Sequence, residues 1–195
     1  MATSATPNGA EPVNTLSASG SYSGKVRHMK VASAYGTAIF YGDFVELVAA
    51  GTVEKAAVTT AVVAGTVGIF VGCSYTDPST SQLTFNQQYP ASTTASDIMA
   101  YVVDDPKIVL KMQGDGSIAQ TGLGNNVSAI STAGSTAIGR SKNALDASSI
   151  ATTNTLPLRV IEFVDGPTSA VGDAYTDCLV TYLPLSHAYE TKLGV

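Results

Sequence analysis

The chain has 195 residues, of which 45% are hydrophobic and only 13% are charged, against about 25% charged residues in typical soluble domains. Its net charge of −5 argues against nucleic acid as a partner, because phosphate neutralisation needs clustered Lys and Arg and the ten basic residues are scattered. The length supports one substantial core without help from metals or disulfides. A surface so poor in charge is often covered by partners.

The first 24 residues are polar and small, with isolated apolar residues at Val13, Leu16 and Tyr22, so they cannot close a core of their own. We expect residues 1–24 to be an N-terminal arm, either disordered in the isolated chain or ordered along a neighbouring subunit. The first ten residues lack the basic and apolar regions of a signal peptide, so we expect synthesis and retention in a cytoplasm. No run approaches the ~18 apolar residues of a membrane span, so no membrane partner is expected.

From Lys25 to Gln113 the apolar residues keep a period of two, which predicts a succession of short strands. In residues 65–75 the period predicts a strand with one face in a core. The apolar members of that face are Val67, Ile69, Val71, Cys73 and Tyr75. Strand signals return at residues 158–164 and 177–183. The sequence therefore predicts one all-β domain over residues 25–195, folded as a compact β-barrel or β-sandwich.

Residues 114–156 differ in kind, being rich in Gly, Ser, Thr and Ala and free of aromatic residues. We expect a long insertion that lies on the surface, either as an interface flap or as a plain loop. Residues 141–146 are predicted to form a helical turn. Several apolar residues are available to dock the insertion on the core, namely Leu123, Val127, Ile130, Ile138, Leu145 and Ile150.

The search for catalytic and metal-binding residues finds little. Cys73 and Cys178 lie among apolar residues in predicted strands and are interpreted as small buried side chains, with a disulfide between them as the alternative. His28 is interpreted as a surface or interface imidazole and His187 as part of a C-terminal tail, and neither has a carboxylate or cysteine at ligand spacing. No nucleophile elbow or phosphate-binding loop occurs. We expect a protein that is not an enzyme and binds no metal or cofactor.

Two groups of acidic residues keep a second interpretation open. Asp104 and Asp105 precede a proline, and Asp173 and Asp177 flank a short apolar-aromatic stretch. Aspartates in turns usually bond to their own backbone, which is the simpler interpretation. The alternatives are a weak calcium site or the paired acids of a glycosidase.

Several short sequence segments carry a resemblance to a known protein family. The early ones are Gly42-Asp43-Phe44-Val45-Glu46-Leu47, Gly51-Thr52-Val53-Glu54-Lys55-Ala56 and Gly65-Thr66-Val67-Gly68-Ile69-Phe70-Val71-Gly72. In this order they resemble the small β-barrel decoration, or cement, proteins of tailed-bacteriophage capsids. The later ones are similar to phrases of marine-phage virion structural proteins, and they are Tyr101-Val102-Val103-Asp104-Asp105-Pro106, Leu156-Pro157-Leu158-Arg159-Val160-Ile161 and Val171-Gly172-Asp173-Ala174-Tyr175-Thr176-Asp177. The long insertion departs from the smallest members of the class.

The resemblance implies a structural virion protein, made in the host cytoplasm, that binds the outer surface of the expanded capsid. It implies a homo-oligomer, with a trimer favoured, that bridges neighbouring subunits of the major capsid protein. Because an extended arm can add a strand to a partner's sheet edge, the capsid-contact candidates are Leu16, Tyr22, Lys25 and Arg27. The alternative is a head-fibre, tail or receptor-binding virion subunit, which would also be β-rich, although the chain shows no fibrous repeat.

Overall fold

The structure is a computed structural model that describes residues 4–17, 24–58 and 66–191. Within these ranges the chain is almost entirely β, with two single-turn 3-10 helices at Gln120–Gly122 and Ala147–Ser149. The strands are β1 (Glu11–Thr15), β2 (Arg27–Lys30), β3 (Phe44–Leu47), β4 (Val53–Lys55), β5 (Thr66–Thr76), β6 (Leu83–Asn86), β7 (Met99–Val103), β8 (Ile108–Gln113), β9 (Asn126–Val127), β10 (Ala129–Ile130), β11 (Ala144–Leu145), β12 (Leu158–Phe163) and β13 (Asp177–Tyr182).

The strands form two large antiparallel sheets. The five-stranded sheet has the order β1-β8-β13-β12-β9, and the six-stranded sheet has the order β2-β7-β5-β3-β4 with β6 added to β5. Strands β10 and β11 form a separate two-stranded sheet. The predicted all-β fold is confirmed as a β-sandwich, and the described part of the chain forms no closed barrel.

Two hydrophobic clusters cover the six-stranded sheet. The first lies between the sheets, where Phe44 and Ile69 meet Leu110 and Leu158 of the five-stranded sheet. The second lies on the opposite face, where loop residues such as Tyr89 cover the strands. The six-stranded sheet is therefore buried on both faces over part of its length, and its strands are held rigidly.

The prediction that β5 buries one face was wrong. Val67 belongs to the second cluster and Ile69 to the first, because the register of β5 shifts against both β3 and β7. The bulges centre on Gly68 and Gly72, whose φ angles are 157° and 146°. A Cβ on Gly68 would stand 2.1 Å from the carbonyl oxygen of Val103. Each bulge inserts a residue and moves the next side chain to the other face of the sheet.

Part of the expected arm is ordered on its own subunit. Strand β1 pairs antiparallel with β8, with Glu11 opposite Lys111 and Thr15 opposite Ile108. The Thr15 hydroxyl donates to Asp105 Oδ2 at 2.8 Å. The expectation of disorder, or of order along a neighbouring subunit, was therefore wrong for residues 11–15. The segment is held at a sheet edge by backbone hydrogen bonds. Because such bonds do not depend on side chains, the sequence shows no apolar alternation that would have predicted this strand.

The 114–156 segment contributes to the core. Val127 and Leu145 are fully buried in the first cluster, and β9 extends the five-stranded sheet beside β12. Leu123 and Ile138 are exposed instead. The predicted helical turn at residues 141–146 was wrong, because β11 occupies part of that range and pairs with β10.

A buried carboxylate anchors this segment to the sheet. Asp43 Oδ1 accepts hydrogen bonds from Ser141 Oγ at 2.6 Å and from Asn143 Nδ2 at 3.2 Å. Its Oδ2 accepts from the Phe40 amide at 2.9 Å and lies 3.1 Å from Lys55 Nζ. A fully buried carboxylate persists only when it is paired and hydrogen-bonded, and here all its partners come from the fold itself.

The interpretation of Cys73 and Cys178 as buried side chains is confirmed, and the alternative of a disulfide between them is not realised. Cys73 belongs to the second cluster and Cys178 to the first. Burial raises the pKa of both thiols to about 12, so neither has the thiolate character that a nucleophile requires.

Candidate functional site

The link between β7 and β8 forms a sharp corner that carries the chain from one large sheet to the other. At this corner Asp104 is buried, and its Oδ2 accepts hydrogen bonds from Arg27 Nε and from the Tyr189 hydroxyl, the latter at 3.1 Å. The neighbouring Asp105 accepts from Thr15. The corner therefore ties together the end of β1, the start of β2 and the C-terminal segment.

Two of the four capsid-contact candidates lie at this corner. Leu16 is 55% exposed and its amide donates to the Lys107 carbonyl at 2.8 Å. The Arg27 side chain is 52% exposed, although its guanidinium is bonded to Asp104. Lys25 is exposed two residues before Arg27. Tyr22 lies outside the described residues. The structure thus brings Leu16, which directly follows β1, and Arg27, which begins β2, to one corner.

The C-terminal segment is part of the core rather than a tail. His187 is fully buried, and its ring lies between those of Tyr182 and Tyr189, at centroid distances of 5.2 and 5.1 Å. Its Nδ1 accepts from the Tyr189 amide at 3.2 Å. Burial lowers the pKa of His187, because the charged imidazolium would lose its hydration. The expectation of a histidine in a tail was therefore wrong.

His28 lies on the surface, as expected, and its ring packs at 4.6 Å from that of Tyr101.

The other acidic candidates also bond within the fold. Asp173 accepts from the Ala170 amide at 3.0 Å, as a turn aspartate does. Asp177 lies 3.2 Å from Lys111 Nζ and accepts from Gln113. The described residues contain no group of three or more His, Cys, Asp or Glu that could hold a metal ion. Asp173 therefore fits the turn interpretation, whereas Asp177 is the first residue of β13 and is paired with a cation of β8.

An exposed apolar face is the main surface feature that the sequence analysis missed. Within the described residues, β6 pairs with β5 alone and leaves one edge unpaired. Leu83 and Phe85 are 61% and 69% exposed. Ser74 of β5 stands opposite both Phe85 and Met99, so these side chains share one face of the sheet. We call Leu83, Phe85 and Met99 the apolar face.

Such a face is unusual on an isolated molecule. Contiguous exposed apolar side chains on an unpaired edge strand typically mark an interaction site. The sequence carries a signal for it, since no charged residue occurs between Asp77 and Asp97. In addition, the alternation of Leu83 and Phe85 directly follows the turn at residues 77–81.

A surface groove of about 530 Å³ lies between the six-stranded sheet and residues 131–134. Its cation is Lys55, whose Nζ is paired with Asp43 and also donates to the Thr132 carbonyl at 3.4 Å. The ammonium group is thus engaged by the fold. Tyr35 also lines the groove, and its hydroxyl accepts a hydrogen bond from the Lys55 amide at 3.1 Å.

Comparison of the chain with protein-family models, with curated proteins and with solved structures finds no match. In the ranges that the structure describes, no helix is long and apolar enough to cross a membrane.

Proposed function

We propose that the protein is a non-enzymatic structural protein of a phage virion that binds the outer surface of the expanded capsid. It stabilises the shell by bridging neighbouring subunits of the major capsid protein. The observation that carries this proposal is the apolar face, which lies on the β-sandwich and is left uncovered by the residues that the structure describes. The phrases that resemble capsid decoration proteins supply the identity of the partner.

The energetics suit a protein that acts in many copies. Burying one Phe or Leu side chain against a partner contributes about 1.5–3 kcal/mol, so each contact is modest. A ligand that binds only the assembled shell stabilises that shell by mass action, and many identical contacts add through avidity. A small apolar face is therefore sufficient when it is repeated over a whole capsid.

Bridging requires two separated contacts, and β7 connects two suitable surfaces. Met99 at its start belongs to the apolar face, and Val103 at its end leads into the corner with Leu16 and Arg27. The four steps along this strand span about 13 Å. One copy can thus touch one capsid subunit with the apolar face and a second subunit with the corner.

Co-sedimentation with expanded, undecorated capsids tests the proposal. The wild-type protein is expected to pellet with the shells, and Phe85→Lys is expected to weaken binding at least tenfold, because a charge replaces the anchor of the apolar face. Leu123→Lys is the matched control. Leu123 is also exposed, but it lies on the side of the molecule that carries the five-stranded sheet. Failure of the wild-type protein to bind expanded capsids would overturn the function. Binding by Phe85→Lys as strong as that of the wild type would show that the apolar face takes no part in capsid binding.

A further inference from the structure

A lysine and a buried asparagine share one carboxylate in this fold. Asp43 Oδ2 lies 3.1 Å from Lys55 Nζ, and Asp43 Oδ1 accepts a hydrogen bond from Asn143 Nδ2 at 3.2 Å. Asp43 and Asn143 are buried, and the Lys55 side chain is only 11% exposed. We call these three residues the triad. An amine and a carboxamide, which can combine into an amide bond, are thus held on the two oxygens of one carboxylate.

The backbone of Thr132 contacts the same two side chains. Its carbonyl accepts from Lys55 Nζ at 3.4 Å, and its amide donates to Asn143 Oδ1 at 2.9 Å. A backbone N–H in this position draws electron density from the carboxamide carbon and stabilises negative charge that develops on the oxygen. With Nδ2 on Asp43 and Oδ1 on Thr132, the carboxamide has a fixed orientation. The triad therefore combines a nucleophile, a polarised carbonyl and a proton acceptor.

An aromatic ring and a close-packed loop shield the triad. The Phe40 amide donates to Asp43 Oδ2 at 2.9 Å, and the centre of the Phe40 ring lies 6.0 Å from Lys55 Nζ. Gly134 lies against that ring, since a Cβ built on it would stand 2.4 Å from two ring atoms. Burial deprives charged groups of hydration, so a proton can pass from an ammonium to a carboxylate and leave both groups neutral. A neutral amine is the form that attacks a carbonyl carbon.

We propose that Lys55 and Asn143 react with each other to form an intramolecular isopeptide bond, with Asp43 as the proton carrier. Asp43 Oδ2 takes a proton from the Lys55 ammonium, and the freed electron pair on Nζ forms a bond to Asn143 Cγ. The π electrons of the carboxamide move to Oδ1, where the Thr132 amide stabilises the charge.

The tetrahedral intermediate then collapses with loss of ammonia. Asp43 passes its proton to Nδ2, the electrons on Oδ1 re-form the carbonyl, and the bond between Cγ and Nδ2 breaks. The second proton that Nζ releases ends on the departing ammonia. One ammonium group and one carboxamide are thus converted into one amide and one ammonium ion, and Asp43 returns to its carboxylate form. No oxidant or cofactor is consumed. The groove that Lys55 lines offers the exit for the product.

The bond joins Lys55, at the end of β4, to Asn143, which directly precedes β11. It fastens the six-stranded sheet covalently to the 114–156 segment. It also closes a long loop of the chain, which restricts the unfolded state as a disulfide does. The reaction occurs once in each chain, without turnover, and it depends on neither the apolar face nor capsid binding.

Intact mass and peptide mapping of the purified, denatured protein test the proposal. The wild-type chain is expected to weigh about 17 Da less than its sequence, after allowance for removal of Met1, because one ammonia is lost. Trypsin is expected to release residues 31–107 joined to residues 143–159, since a modified Lys55 is no longer cleaved. The joined peptide is decisive, because an asparagine can also lose ammonia by cyclising on its own backbone.

Three variants each remove one partner of the reaction. Lys55→Arg keeps a cation beside Asp43 but has no amine to acylate, Asn143→Ser has no carboxamide, and Asp43→Asn cannot carry the proton. Each is expected to have the full mass and to lack the joined peptide, and thermal unfolding checks that each one folds. Lys142→Arg is the matched control, because Lys142 is exposed beside Asn143, and it is expected to keep the wild-type loss of mass.

Separate peptides 31–55 and 143–159 from the wild-type protein would overturn the proposal, whatever the variants do. So would a loss of ammonia that persists in Lys55→Arg, because the bond would then not involve Lys55. A joined peptide in Asp43→Asn would overturn the role of Asp43 as the proton carrier. Capsid binding is scored separately, so this proposal and the proposed function fail by different measurements.

Discussion

Ser141 donates a 2.6 Å hydrogen bond to the buried carboxylate of Asp43 across 98 residues of sequence. This bond, together with the 3.2 Å hydrogen bond that Asn143 Nδ2 donates to the same carboxylate, fixes the 114–156 segment to the start of β3. The segment that the sequence presents as a plain insertion is thereby held as part of the sandwich.

Replacing Asp43 should destabilise the whole domain. Asp43→Ala leaves the Lys55 ammonium and the Ser141 hydroxyl without their buried partner, so we expect a loss of about 3–5 kcal/mol in the free energy of unfolding. Chemical denaturation measures the loss. The exposed Glu162→Ala is the control and should stay within about 0.5 kcal/mol of the wild type. A loss below about 1 kcal/mol for Asp43→Ala would contradict the anchoring role.

The stability should fall in mild acid because of His187. Its pKa in the folded state is lowered by burial, whereas in the unfolded chain it stays near the usual value of about 6.5. The unfolded state therefore binds more protons, and stability decreases as the pH falls through about 6.5 and below. Chemical denaturation at pH 7.5 and at pH 5.0 gives the free energy of unfolding at each pH. The decrease between the two should be smaller for His187→Gln than for the wild type. Equal drops in both proteins would show that His187 does not contribute.

The bulge at Gly68 should tolerate no side chain. In Gly68→Ala the new Cβ would collide with the Val103 carbonyl, at a φ that L-residues rarely adopt, so we expect a loss of about 3 kcal/mol or more. Gly166→Ala is the matched control, because nothing lies within 4 Å of a Cβ built there. Thermal unfolding compares the two variants. Similar melting temperatures for both would contradict the account of the bulge.

The two thiols should resist labelling in the folded protein. Cys73 and Cys178 are buried and their pKa values are raised to about 12, so a thiol-specific reagent at pH 8 is expected to react only after denaturant is added. The number of modified thiols is measured with and without denaturant, and the two numbers are compared. Rapid modification without denaturant would contradict this burial.

The sequence predicted the strands whose side chains alternate against a core, such as β8 and β13. It missed β1 and β6, because these edge strands are fixed by backbone pairing and bury little apolar surface. It also misjudged β5, where the bulges at Gly68 and Gly72 change the face, and where Phe70, which interrupts the alternation, is buried in the second cluster. Contacts such as that of Ser141 with Asp43 could not be predicted, because nothing local in the sequence pairs residues so far apart.

The same physics explains the candidate site. Leu16 and Arg27 were each chosen as contacts, which stays a prediction, but the sequence did not indicate that they meet at one corner. The bonds that form it, from Arg27 to Asp104 and from Thr15 to Asp105, join residues distant in the chain. The apolar face was missed, because a strand with one uncovered side reads like any other alternating strand until its partners are known. Exposure is a property of the fold, and the sequence alone gives only the alternation.

Binding to expanded, undecorated capsids is the measurement that tests the central claim most directly. Titration of the wild-type protein against a fixed amount of shells, followed by co-sedimentation, should saturate at a fixed ratio of protein to major capsid protein, and the decorated shells should withstand heating better than bare ones. Protein that stays in the supernatant at every concentration, with shells that disassemble at an unchanged temperature, would contradict the proposed role in the capsid.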